Sequence, residues 1–205
     1  MTAAPGSQGI GADTVPPEAS FRARLIWSRT EIILQKMTFG LEGDPMSGSP
    51  ARLYDEDFVR WSEEQSRALR EAARSGVNLP LDWENLAEEV ESLGRSQRHE
   101  LRSRIAVILE HLLKLERSPA ADPRSGWMET IARERSEIEL LLNDSPSLKG
   151  DVARMIAEES LRVARLTSRV LRLQGEDVGN IAPPTYIEEQ VLGDWFPGDL
   201  LAFPP

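Results

Sequence analysis

Three ionisable side chains fall where a helical pattern calls for apolar ones. Placed at about 100° per residue, Glu134 projects about 20° from Trp127 and about 40° from Ile138, in the middle of an apolar stripe. Glu159 occupies the beat between Met155 and Val163, and His111 projects between Val107 and Leu115. A carboxylate in an apolar interior must be paired, protonated or metal-bound, since leaving it charged and alone costs several kcal/mol. Two chemistries follow. Glu134, Glu159 and His111 could converge from three helices on a divalent ion, a ligand set that suits zinc, manganese or iron and a metal-dependent, hydrolase-like reaction. Alternatively, the glutamates bond arginines such as Arg104, Arg135 or Arg162, or face a partner chain. The chain has no Glu-x-x-His or His-Glu-x-x-His pair and only two histidines. Structural ion pairs are also commoner than unrecognised metal sites, so the balance favours pairing and no cofactor.

Two further groups carry charge in a pattern. Glu84, Glu88 and Glu91 share one helical face, while Glu89 lies elsewhere. Stacked like charges need an offset, which a divalent cation held by Glu88 and Glu91 would supply, as would Arg95, Arg98 and Arg102 downstream. The solvated or arginine-answered face is favoured. Arg154, Arg162, Arg165, Arg169 and Arg172 fall within an arc of about 80° on a later helix. Such a stripe could follow a phosphate backbone, but it lacks aromatic interleaving and any nucleic-acid motif. An acidic partner surface, including another copy of the chain, explains it as well. GxxxxGK[ST], GxGxxG and GxSxG are absent, and there is no cysteine for thiolate chemistry.

These residues must be positioned by helices, because no strand pattern is present. The first predicted helix starts at Ser49 and Pro50 and carries Tyr54, Phe58, Trp61, Gln65, Leu69 and Ala72 at three- and four-residue spacing to Gly76. A short second helix is capped by Asp82, buries Trp83, Leu86, Val90 and Leu93, and stops at Gly94. The third opens at Ser96, with Leu101, Ile105, Ile108, Leu112 and Leu115 stepping 4-3-4-3 and Leu109 and Leu113 widening the stripe. It is the most apolar helix and the expected centre, with His99 exposed near its start. The fourth runs over 126–143. The fifth starts with Ser145 and Pro146 and carries Leu148, Val152, Met155, Val163, Leu166, Val170 and Leu173 to Gly175. A helical turn or two over 186–192 and the aromatics Trp195 and Phe196 complete the chain, packing back on the bundle. The expectation is an all-α bundle of about five helices in one domain, 46–205.

Five blocks in this order, YDEDFVRW, LDWENLAEEVESLG, ILEHLLKLE, IARERSEIELLLNDSPSL and PPTYIEEQVLGDWFP, resemble the domain of unknown function 29 family from Tyr54 to about Pro197. The resemblance implies a compact helical bundle in a bacterial protein and implies no reaction. Leu115 stands where the family often has an aromatic residue, and Leu161 where a tyrosine is frequent.

Composition narrows the function classes. The chain has 205 residues, 40% of them apolar, and a formal charge of -10, a field that opposes nucleic acid and anionic membranes at long range. Of its 24 basic residues, 21 are arginine. No span of about 18 apolar residues exists for a membrane crossing. Residues 1–45 are rich in Gly, Pro, Ser and Ala and read as a disordered, dispensable extension, with Met46 an equally good start. Within it, 21–39 fits a short amphipathic helix but not a secretion signal. The leading expectation is a cytoplasmic interaction or scaffold protein that self-associates through the charged faces of its third and fifth helices. The alternative is the metal-dependent enzyme.

Overall fold

The computed structural model describes residues 50–198 except 78. The expected extension over 1–45 and the start at Met46 lie outside the described residues. Six α-helices and one 3-10 helix follow in order: α1 (Pro50–Glu56), α2 (Phe58–Arg74), α3 (Trp83–Arg117), α4 (Arg124–Asp144), the 3-10 helix (Pro146–Asp151), α5 (Val152–Leu173) and α6 (Glu188–Leu192). The described residues form an all-α bundle with no strand.

Helix α3 is the spine. It runs unbroken for 35 residues, about 52 Å, where the sequence pattern predicts two helices separated at Gly94. Gly94 is buried and keeps helical backbone. A Cβ there would strike the Ser62 hydroxyl and lie 3.6 Å from the Val59 carbonyl oxygen, so the glycine serves a close crossing of α2 over α3 and does not end a helix. The predicted cap does hold at the other end, where the Asn85 amide donates to Asp82 Oδ1 at 3.2 Å.

The single helix expected over 49–76 is divided at Asp57. Its carboxylate caps α2 by accepting from the Arg60 amide at 3.0 Å, and it also accepts from the Ser147 amide at 2.7 Å and the Ser147 hydroxyl at 2.8 Å. One buried side chain thus ends α1, starts α2 and ties both to the 3-10 helix. Gly76, with φ of 68°, closes α2 as predicted.

Helices α2, α4 and α5 each make their main helix contact with α3. Helix α2 pairs with its N-terminal half as a hairpin around a small core of Leu69, Ala87 and Val90, with Trp61, Trp83 and Leu86 packed against it. The main core gathers Leu101, Ile105, Ile108 and Leu112 of α3, Ile131, Ile138 and Leu141 of α4, and Val152, Met155, Val163 and Leu171 of α5. Val191, Trp195 and Phe196 pack onto it, so the terminal aromatics are covered within the chain as expected.

The predicted fifth helix divides into the 3-10 helix and α5, and its stripe is rotated from the expected one. Leu166 is 38% and Leu173 82% exposed. The buried side instead uses Ile156, Ser160, Thr167, Ser168 and Leu171. Ser160 and Ser168 satisfy their hydroxyls by donating to Ile156 O and Ala164 O, at 2.7 and 2.9 Å, which lets small polar residues be buried on this side of the helix.

Candidate functional site

Arginines on α3 decide where the candidate carboxylates go. Arg104 donates to Glu134 Oε2 of α4 at 2.8 Å, to Glu137 at 3.1 Å and to Glu100 one turn earlier at 2.8 Å. Arg102 donates to Glu158 of α5 at 2.7 Å and lies 3.6 Å from Glu159. Positions two apart on a helix point about 200° apart, so α4 and α5 are met on opposite sides of the spine. Glu159 is 6% exposed and also accepts from Arg162 Nε, while Glu134, part-buried, is held by Arg104. The structure therefore brings each glutamate to an arginine, two of the three named from the sequence, and does not bring Glu134, Glu159 and His111 into one ligand set. No group of three His, Asp or Glu side chains among the described residues is placed to hold a metal ion.

His111 is half-buried on α3. Its Nδ1 lies 2.8 Å from the Val107 carbonyl oxygen, an atom that only accepts, so Nδ1 carries the hydrogen. Burial lowers the pKa of the ring, and Lys114 adds to that; the Val107 bond and the carboxylates Glu110 and Glu134 act the other way. The ring is a neutral, backbone-anchored packing group.

The glutamate ridge is answered by arginines of both helices of the hairpin. Glu91 accepts from Arg70 of α2, which holds its carboxyl below the usual range. Glu88 accepts from Arg95 and lies 3.7 Å from Arg70. Arg98 and Arg102, expected to face this ridge, bond Glu63 and Glu158 instead. The offset to the stacked carboxylates thus comes from both helices, from Arg70 across the hairpin and from Arg95 further along their own helix, as expected for Arg95.

Two polar constellations had no sequence signal beyond residue type. Ser145 donates to Gln97 at 2.6 Å and accepts from the Val59 amide at 3.3 Å, which together with Asp57 and Ser147 pins α2, α3 and the 3-10 helix at one junction. Arg135, expected to serve a glutamate, instead donates to three backbone carbonyls of the C-terminal segment: Val191 at 3.0 Å, Gln190 at 2.9 Å and Trp195 at 2.7 Å. Its guanidinium sits 4.9 Å from the centre of the Phe196 ring. Beside it, a groove of about 560 Å³ runs between α4 and the terminal segment, with Lys149 and Glu139 on its walls.

The family model described as domain of unknown function DUF29 matches residues 53–196. The chain belongs to the DUF29 family. Among solved structures, the DUF29 chain is similar to an alpha-helical protein of unknown function from Rhodospirillum rubrum, with 25% identity and a TM-score of 0.57, over 70% of this chain and 90% of that one. No curated protein matches it. Among the described residues no helix is long and apolar enough to cross a membrane.

On the DUF29 chain the predicted arginine stripe of α5 separates into two parts. Arg154 bonds Asp151 and Glu158 at 2.7 and 2.8 Å, Arg162 bonds Glu159, and Arg172 bonds Gly179 O and Asn180 at 2.9 and 2.7 Å. Arg165 and Arg169 have no such partner among the described residues. They line an open groove of about 520 Å³ with Leu161 and Leu173. From Leu161 to Leu173 the helix contains four arginines and no acid.

Proposed function

We infer that this chain is a helical interaction module, a scaffold rather than a catalyst, whose docking surface is the outer face of the second half of α5. The observation that carries this reading is the coincidence, on one face, of cations without carboxylate partners and large apolar side chains without cover. Arg165 and Arg169 are unpaired among the described residues, while Leu161, Leu166 and Leu173 are 46%, 38% and 82% exposed. Among the other described arginines, only the exposed Arg67 of α2 lacks a carboxylate or backbone-carbonyl partner, and no exposed large apolar side chain of α2 stands with it. An apolar strip edged by charge is the composition of a protein-docking surface, and the free arginines select an acidic partner. Nucleic acid is disfavoured by the formal charge of -10.

A photo-reactive amino acid replacing Leu173 in the full chain tests the reading in cells. A discrete protein adduct is expected, and Arg165→Glu with Arg169→Glu should abolish it while leaving the helical spectrum intact. No adduct, or an adduct indifferent to the charge reversal, overturns the assignment.

A further inference from the structure

Resting on the reading of α5 as a docking surface, we propose that the acidic surface it meets is the outer face of α4 on a second copy of this chain. That face has the complementary composition. Glu129, Glu139 and Asp144 are exposed and have no ion pair among the described residues, and Leu140 stands among them at 58% exposure. Glu129, Leu140 and Asp144 fall within about 60° of one another around the helix. Arg133 is the one cation on that side of α4, and it lies 4.0 Å from Glu134.

The two faces also match in length. Glu129 to Asp144 spans about 22 Å and Leu161 to Leu173 about 18 Å, at 1.5 Å per residue. Docking them covers four exposed leucines and gives Arg165 and Arg169 the carboxylates they lack within their own chain. Because α4 and α5 lie on opposite sides of α3, the contact joins different surfaces of two copies. Each added copy leaves one face of either kind open, so association continues into a chain unless it closes as a ring. The net charge of -10 opposes it, although repulsion beyond about 8 Å is screened at physiological salt. The contact is therefore weak and concentration-dependent.

Sedimentation velocity on the full chain at micromolar to submillimolar concentrations tests this. At moderate salt the average mass should rise with concentration toward that of a dimer and beyond, and it should return to the monomer at high salt. Arg165→Glu with Arg169→Glu places acid on both faces, and Glu129→Lys with Asp144→Lys places base on both, so each variant alone should remain monomeric. An equimolar mixture of the two restores opposite charges at every contact and should regain the association. A monomer at all concentrations, or a mixture that stays monomeric, overturns the proposal. If the adduct at Leu173 then forms with a different protein, the docking reading stands and the second copy is excluded; if no adduct forms, both fall.

Discussion

Replacing Gly94 with alanine sets two effects of opposite sign against each other. Alanine in a helix interior is favoured over glycine by about 0.8–1 kcal/mol, so an uncrowded position would be stabilised by that amount. At Gly94 the new methyl meets the Ser62 hydroxyl, which is itself held by donating to the Val59 carbonyl oxygen at 2.8 Å. Overpacking of this kind costs about 1–3 kcal/mol, which leaves a net destabilisation of about 1 kcal/mol. Removing the obstacle should reverse the sign. With Ser62→Ala the nearest remaining neighbours of the methyl are the Cβ of residue 62 at 3.5 Å and the Val59 oxygen at 3.6 Å, both ordinary contacts. In that background Gly94→Ala should stabilise by up to about 1 kcal/mol, a coupling of about 2 kcal/mol between the two positions. Urea unfolding of the four proteins, followed by circular dichroism, measures it. Stabilisation by Gly94→Ala in both backgrounds would refute the close-crossing account and return the glycine to the role of a tolerated helix interruption.

Two other outcomes follow from single side chains. His111 has a lowered pKa in the fold, so the unfolded chain binds more protons between that value and about 6.5. Its contribution is present above about 6.5 and is lost as pH falls toward the folded pKa; His111→Gln should flatten stability against pH across that window, and an unchanged slope would contradict the burial argument. Arg135→Ala removes three bonds to the carbonyls of residues 190, 191 and 195 and should cost about 2–3 kcal/mol. It should also expose Trp195, so chymotrypsin should cut near that residue earlier than in the parent; equal cutting would mean that the aromatic packing alone holds the segment.

Local signals reached far into this fold. Asp82 and Gly76 mark the ends they should, because a cap and a left-handed glycine act within one turn. Gly94 shows the limit of that logic: a stop and a helix crossing use the same residue, and only the facing Ser62 distinguishes them. The expected stripe through Leu166 and Leu173 failed for a related reason. The side that is buried instead carries Ser160 and Ser168, whose hydroxyls bond their own helix and so can leave water. At the candidate site, the misplacement of Glu134 and Glu159 was visible in the helical projection. Their partners were only partly so, because Arg104 and Arg102 stand two positions apart on one helix and diverge to opposite neighbours. Nothing local marks Arg135 as the residue that holds the terminal segment, since its acceptors are backbone atoms more than fifty residues away.

The unbroken course of α3 also has a mechanical side. From Leu101, where the main core begins, to Trp83 at the far end of the hairpin is about 27 Å of continuous helix. A tilt of about 10° at Leu101 would carry Trp83 through about 5 Å, with no joint at Gly94 to absorb it. The hairpin is in that sense a lever arm, and small changes in packing at one end of the bundle are enlarged at the other.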